Sequence, residues 1–135
     1  TPYGTFKDNL KTFINVARKH KATPVLLTAI VRRKFNENGE LEDTHGDYIT
    51  AVLETAKEEG CMVIDMNALT REYVLEKGVE ESRKLYMNFE AGIYDNYPDG
   101  KTDNTHLRPE GARAYAALMA HSIKEQGGEL AELLN

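Results

Sequence analysis

The feature that most constrains the fold of this chain is an apolar run at residues 24–31, which reads Pro-Val-Leu-Leu-Thr-Ala-Ile-Val. The run has the length of a strand, but its residues do not alternate between apolar and polar as they would in a strand with one solvent-exposed face. It therefore predicts a strand that is covered on both faces, as in a parallel sheet. A similar run at residues 61–66 predicts a second buried strand. Parallel neighbours need a crossover of roughly a dozen or more residues, which is usually a helix.

Amphipathic periodicity predicts helices before, between and after these strands. The expected helices are residues 6–20, residues 47–60 with Asp47 as the N-cap, residues 67–77 with Asn67 as the N-cap, and residues 109–124 with Pro109 in the first turn. Residues 79–102 show little periodicity and are long for a connection, so a functional loop or lid is expected there. The order of elements predicts an α/β fold with a parallel sheet and right-handed crossovers.

Two buried parallel strands are too few for a complete sheet, because they leave an apolar flank and an open edge. Neighbouring strands are therefore expected outside these 135 residues. The chain also begins with Thr1 and not with Met, which suggests a processed, truncated or incompletely represented polypeptide. We expect residues 1–135 to be part of one domain, completed by a missing N-terminal segment or by another chain along the open sheet edge.

Charge and cysteine content narrow the possible partners. The net charge is −5, with 17 basic and 22 acidic residues spread along the chain, so the basic surface needed for nucleic acid or an anionic membrane is not expected. The longest apolar run is far too short to span a membrane. Cys61 is the single cysteine, which excludes an internal disulfide and a cysteine-based metal cluster. A secreted, a periplasmic and a cytoplasmic location all stay open.

The candidate catalytic residues are Asp103 and His106, in the sequence Asp-Asn-Thr-His before the last predicted helix. At this spacing on an exposed loop, a carboxylate can reach back to the imidazole and fix its tautomer, which leaves the other ring nitrogen free as a general base. That is two thirds of a catalytic triad without the hydroxyl. The alternative is an Asx-type turn that merely starts the next helix, which such polar loops often adopt.

A metal site is a second possible interpretation of the acidic and histidine residues. Asp43, His45 and Asp47, alone or together with Asp103 and His106, could be ligands of a metal-dependent hydrolase. This interpretation is weaker because ligand types two residues apart are common in loops and no helix carries a His-Glu-x-x-His pattern. We therefore expect no metal and no cofactor.

Several sequence blocks, taken in order, resemble a known family. They are residues 23–28 followed by Arg-Arg-x-Phe at 32–35, the Val-Ile-Asp-Met-Asn block at 63–67, and Asp-Asn-Thr-His at 103–106 followed by Gly-Ala at 111–112. Together they resemble the C-terminal part of an SGNH (GDSL-type) hydrolase, and within that family the rhamnogalacturonan acetylesterases. The resemblance runs over essentially the whole chain.

This resemblance implies a flavodoxin-like three-layer α/β/α sandwich that carries serine esterase chemistry. Carried over to this chain, His106 would be the catalytic base and Asp103 would orient it. The implied substrates are acetyl esters on a pectic polysaccharide such as rhamnogalacturonan.

The chain departs from the family where the nucleophile should be. The family's Gly-Asp-Ser block and its Gly-x-Asn-Asp block, which supply the nucleophile and the oxyanion donors, are both absent. Ser82 and Ser122 are the two serines of the chain, and neither follows a predicted strand. Cys61 opens a predicted buried strand, where a thiol is usually inert. The isolated chain is therefore expected to be inactive, and a non-catalytic α/β interaction module is the rival interpretation.

Substrate binding is assigned to Arg32 and Arg33, at the predicted carboxyl end of the first strand. Open α/β sheets bind their ligands on this side, and a guanidinium suits bidentate recognition of a carboxylate. We expect one of the two to pair with a uronate of the polysaccharide. The alternative for each is a salt bridge to a nearby acidic residue.

Overall fold

The computed structural model describes residues 1–134, which form two compact units. The first unit comprises residues 1–30 and 45–67, and the second comprises residues 31–44 and the described chain from residue 68 onward. Helices and a parallel strand pair confirm the predicted α/β class. None of the helices in this described part is both long enough and apolar enough to cross a lipid bilayer.

The first unit is built from two helices and two strands. A π-helical turn at Pro2–Phe6 leads into α1 (Lys7–Lys19), followed by β1 (Val25–Leu27), α2 (Asp47–Glu59) and β2 (Met62–Ile64). The strands pair in parallel, with Val25 opposite Met62 and Leu27 opposite Ile64. Both helices are confirmed close to their predicted limits, and Gly60 ends α2 in the left-handed conformation.

The strands are shorter and less covered than the apolar runs predicted. Each has three residues, and the Leu27 side chain is 44% exposed while Ile64 is buried. Burial on both faces is therefore wrong for Leu27, because the described residues of this unit leave its face uncovered. Beyond β1, the Thr28 hydroxyl donates to Asp65 Oδ1 at 2.7 Å and accepts from the Asn67 amide at 2.8 Å. These bonds tie the carboxyl ends of the two strands together.

Both predicted N-caps, Asp47 and Asn67, are wrong. Gly46 is the N-cap of α2 and Asp47 is its first helical residue, with no side-chain cap. The third helix, α3 (Met66–Ser82), begins one residue before Asn67, whose side-chain amide donates to the Ala29 carbonyl. Both side chains are of the capping type, but Gly46 with φ 53° precedes α2, and the Asn67 side chain bonds to Ala29 instead of capping.

The second unit contains most of α3, a hairpin and the final helices. Its elements after α3 are a 3₁₀ turn (Arg83–Leu85), β3 (Tyr86–Phe89), β4 (Lys101–Leu107), α4 (Pro109–Gln126) and α5 (Glu129–Glu132). Gly78 interrupts α3 with φ 73° and ψ −179°, so the predicted end of the regular helix near Lys77 is confirmed. Pro109 stands in the first turn of α4, also as predicted.

Residues 79–102 were expected to form a long loop or lid, and most of that expectation is wrong. They contain a helical turn, the 3₁₀ turn, β3 and the start of β4, which leaves residues 90–100 as the loop of an antiparallel hairpin. Tyr86 on β3 is fully buried, and its hydroxyl donates to the Val31 carbonyl at 2.7 Å. The Tyr115 hydroxyl of α4 lies 2.8 Å from that of Tyr86 and is thus the donor between them. β3 was not predicted, because it has only four residues and includes the polar Asn88 among apolar neighbours.

Candidate active site

The residues of the predicted catalytic motif lie in a bulge of β4. Tyr86 pairs with Leu107 and Asn88 pairs with Thr102, so Met87 alone faces the four residues 103–106 of the other strand. Bulges bend a strand and redirect its side chains, and they recur beside active sites. The predicted exposed loop is therefore corrected to a bulged strand directly before α4. His106 is nonetheless exposed, with 77% of its side chain accessible.

Asp103 makes contact with His106 through both carboxylate oxygens. Oδ2 lies 2.8 Å from Nδ1 of the imidazole. Oδ1 accepts the backbone N–H of Thr105 at 2.8 Å and that of His106 at 3.0 Å. The second pair of bonds is the Asx-type turn that was the alternative interpretation, so the turn and the carboxylate–imidazole pair occur together. The imidazole Nε2 makes no hydrogen bond to residues 1–134.

The electrostatics of Asp103 favour an ionised carboxylate. The backbone N–H of His106, then that of Thr105 and then the imidazole lower the pKa of Asp103 from 3.8 to about 2. An ionised Oδ2 at 2.8 Å assigns the Nδ1 proton to the neutral imidazole, since this oxygen can only accept. The lone pair then resides on the exposed Nε2, which is the arrangement that a general base requires.

Arg33 points into the second unit and supports the bulge. Its Nη1 donates to Asn104 Oδ1 at 3.0 Å, its Nε donates to Ser82 Oγ at 3.0 Å, and its Nη2 donates to the Val79 carbonyl. Its backbone N–H also donates to the Asn104 carbonyl at 2.9 Å. Burial is the largest cause that lowers the pKa of Arg33.

Arg32, by contrast, is exposed and makes no side-chain hydrogen bond or ion pair with the described residues. It lines a hollow of about 530 Å³ beside the bulge. The other lining residues are Arg33, Lys34, Asp43, Thr44, Asn104 and Thr105. Lys34 pairs with Glu42 at 2.6 Å, and the buried Thr44 hydroxyl has no hydrogen-bond partner. The hollow therefore offers the Arg32 guanidinium next to residues of the predicted catalytic motif.

The remaining candidate nucleophiles are poorly placed. Ser82 is fully buried, accepts from Arg33 and donates to the Val79 carbonyl. Ser122 lies within α4 and accepts from the side chain of Gln126. Cys61 is half-buried, and burial raises the pKa of its thiol, so the nucleophilic thiolate is disfavoured.

The geometry does not support the metal interpretation. Among residues 1–134, no three His, Cys, Asp or Glu side chains are arranged so that they could hold a metal ion together. His45 instead makes a ring-nitrogen contact of 3.0 Å with the Ile30 carbonyl.

The aromatic residues of the hairpin mainly anchor its loop. Phe89 is buried and packs edge-on against Tyr94 and Tyr97, with ring centroids 4.7 and 5.6 Å apart. The Arg108 guanidinium lies 5.9 Å from the ring centroids of both Phe89 and Tyr94. These contacts fix residues 90–100 next to the bulge.

Asn88 and Asn104 support the Asp103 backbone by hydrogen bonds that the sequence did not predict. Asn104 Oδ1 accepts from Asn88 Nδ2 at 2.9 Å, and Asn88 Oδ1 accepts the Asp103 N–H at 3.1 Å. The available signal was weak: Asn104 occupies a position that the Asp-x-x-His spacing does not specify, and Asn88 is one polar residue between Met87 and Phe89.

Two curated relatives are similar to nearly all of this chain. Rhamnogalacturonan acetylesterase RhgT of Bacillus subtilis strain 168 is 43% identical over 126 residues, which are 93% of this chain and 54% of that protein. The probable rhamnogalacturonan acetylesterase YesY of the same organism is 37% identical over 131 residues, which are 97% of this chain and 56% of that protein. The chain thus spans about half the length of the curated relatives it matches.

Structural comparison supports the same fold class. The crystal structure of the protein YXIM of Bacillus subtilis matches with a TM-score of 0.74 and 27% identity, over 93% of this chain and 32% of that chain. No family model matches the sequence. The resemblance inferred from the sequence blocks is nevertheless confirmed by the two relatives. The chain is an SGNH-hydrolase-like α/β polypeptide that is related in sequence to the rhamnogalacturonan acetylesterases.

Proposed function

We propose that this chain supplies the base and its orienting carboxylate to a serine esterase that removes acetyl groups from a pectic polysaccharide such as rhamnogalacturonan. The observation that carries the proposal is the 2.8 Å contact of Asp103 Oδ2 with His106 Nδ1, with Nε2 of the imidazole left exposed. The names of the two relatives support the substrate class.

In the proposed reaction, His106 Nε2 takes the proton of a serine hydroxyl as its oxygen attacks the acetyl carbonyl. Asp103 stabilises the imidazolium that forms, and Nε2 then gives the proton to the departing sugar oxygen. Water next attacks the acetyl-enzyme with His106 again as the base. The serine is regenerated and acetate leaves, so no metal or redox cofactor is required.

The nucleophile and the oxyanion donors are proposed to come from residues outside this chain. The burial of Ser82 and the position of Ser122 within α4 support this proposal, because neither hydroxyl is placed to attack a substrate. In the first unit, the exposed Leu27 on β1 and Phe13 on α1, 67% exposed, offer apolar surface for a further segment or another chain to cover. We propose that residues 1–135 thereby form part of one hydrolase domain.

Arg32 is proposed to bind a uronate carboxylate of the polysaccharide. Its guanidinium is exposed at the hollow beside Thr105, whereas that of Arg33 already has three internal acceptors. In a protein that includes the nucleophile, Arg32→Ala should raise KM for acetylated acidic oligosaccharides at least several-fold and leave neutral acetylated sugars unaffected. Arg113→Ala, an exposed arginine of α4, is the control. Equal losses on the two substrate classes would contradict this role for Arg32.

Acetate release from acetylated rhamnogalacturonan tests the function as a whole. His106→Ala and Asp103→Asn in the nucleophile-bearing protein should each lower kcat by roughly 10²- to 10⁴-fold, the usual contribution of a positioned base. His121→Ala is a matched control, because His121 is 72% exposed and also contacts an acidic residue, Glu125, at 3.4 Å. A His106→Ala variant as active as the His121→Ala variant would favour the non-catalytic module.

A further inference from the structure

We propose that Arg33 is a positioning residue that fixes the bulge of β4, and with it the Asp103–His106 pair, by clamping Asn104. Its catalytic consequence rests on the proposed esterase function, whereas its structural consequence does not. Arg33 was expected from sequence to touch substrate, so this assignment gives its guanidinium a different task.

The clamp acts on Asn104 through both its main chain and its side chain. The Arg33 N–H donates to the Asn104 carbonyl at 2.9 Å, and Arg33 Nη1 donates to Asn104 Oδ1 at 3.0 Å. Asn104 lies between Asp103 and His106, in the stretch of four residues that faces Met87 alone. A bulge interrupts the regular ladder of a strand pair, and these two bonds hold Asn104 in place within it.

Asn88 links the clamp to the carboxylate. Asn88 Nδ2 donates to the same Asn104 Oδ1 at 2.9 Å, and Asn88 Oδ1 accepts the Asp103 N–H at 3.1 Å. Asn88 is buried, which makes its bonds stronger and their loss more costly than at the surface. Arg33, Asn104, Asn88 and Asp103 thus form a continuous chain of hydrogen bonds that ends at the residue proposed to orient the base.

The other side of the guanidinium is anchored on the end of α3. Arg33 Nε donates to the buried Ser82 hydroxyl and Nη2 donates to the Val79 carbonyl, both beyond the kink at Gly78. The guanidinium also lies 5.5 Å from the centroid of the Phe35 ring. A planar fork with several fixed donors can bridge α3 and the bulge in this way, whereas a lysine ammonium cannot reproduce the geometry.

The decisive variant is Arg33→Lys in the nucleophile-bearing protein, with Arg113→Lys as the control. Arg33→Lys should lower kcat roughly 10- to 100-fold, the size expected when a catalytic group is displaced by about 1 Å, and should leave KM within about twofold. The histidine ring nitrogens report positioning independently of turnover. In ¹⁵N-histidine NMR, the Nδ1–H signal of His106 should weaken. In a separate pH titration, the pKa of Asp103 should rise from about 2 towards 3.8, because the displaced residues would stabilise its carboxylate less.

A second variant decides the matter if Arg33→Lys does not fold. Asn88→Asp keeps the side-chain shape and the acceptor for the Asp103 N–H, but it removes the Nδ2–H donor to Asn104. It should shift the His106 signal in the same direction as Arg33→Lys. An unchanged His106 signal in the folded variants, or a rise in KM with kcat and the NMR signal unchanged, would overturn the proposal. If these variants shift the His106 signal but the wild-type protein has no esterase activity, the proposed function is wrong, whereas the positioning role of Arg33 is supported.

Discussion

At the scale of single residues, Asp103 combines a structural and a chemical task. One carboxylate oxygen closes the turn by accepting two backbone N–H groups, and the other holds the imidazole of His106. The turn makes the carboxylate–imidazole contact local, because the backbone that fixes Asp103 is also the backbone that carries His106. The Asp-x-x-His spacing allows both the turn and the contact with the imidazole. The contact could therefore be predicted from the sequence.

Asp103 should also make the stability of the protein depend on pH. Its pKa is lowered from 3.8 to about 2 in the folded state, chiefly by the backbone N–H of His106. A lowered pKa stabilises the fold above the unfolded value, and this stabilisation is lost as the pH falls through about 2. Urea unfolding at pH 6, 4 and 2 should therefore show wild type more stable than Asp103→Asn at pH 6, with the difference shrinking towards pH 2. A difference that stays constant across this range would contradict the assigned hydrogen bonds.

The roles of Arg32 and Arg33 mark the limit of residue-level prediction. Adjacent arginines after an apolar run have the same local pattern, yet one is exposed at a hollow and the other is bonded to α3 and to the bulge. The distinction depends on partners 46 to 71 residues away in the chain, which no local pattern contains.

At the scale of elements, the helices were predicted well and the hairpin was not. Long amphipathic segments such as α1 and α4 carry several turns of periodic signal. Gly60 marks the end of α2, Gly78 the end of the regular part of α3, and Pro109 the start of α4. β3 has four residues and β4 is interrupted by the bulge, so neither displays a run of alternating residues. The polar Asp-Asn-Thr-His stretch lies within β4, and its composition predicted a loop at that place.

The close packing of α4 on the 3₁₀ turn gives an element-level prediction. A Cβ atom at Gly111 would lie 2.9 Å from the carbonyl carbon of Leu85 and closer still to its oxygen. Gly111→Ala should therefore force backbone movement and lower the free energy of unfolding by about 1–3 kcal/mol, despite the higher helix propensity of alanine. Ala116→Ser, at an exposed position of the same helix, should change it by no more than about 0.5 kcal/mol. A Gly111→Ala variant as stable as wild type in urea would show that this contact is looser than described.

At the scale of the whole molecule, the proposal is that the chain supplies the base and its orienting carboxylate to an esterase site whose nucleophile lies elsewhere. The chain spans about half the length of the two curated relatives, and Leu27 of β1 is exposed. The α/β class and the family relationship could be predicted from the order of apolar runs and sequence blocks. The division into two compact units could not, because it depends on which long-range contacts the described chain makes.

The first molecular prediction is that the 135-residue chain alone has no esterase activity. With 4-nitrophenyl acetate it should show neither a burst nor turnover above the buffer rate, because Ser82 is buried and Ser122 belongs to α4. His106→Ala in the same chain is the control for background hydrolysis by the exposed imidazole. Sustained turnover that disappears in this variant would mean that the chain holds a complete site.

The proposal that His106 activates a serine outside residues 1–135 is tested by locating the nucleophile. A nucleophile-bearing form of the protein would be treated with a serine-directed fluorophosphonate, digested, and the labelled peptide identified by mass spectrometry. We expect a single adduct on a serine outside residues 1–135, formed at least a hundred-fold more slowly in His106→Ala than in His121→Ala. An adduct on Ser82 or Ser122, or labelling that does not depend on His106, would contradict it.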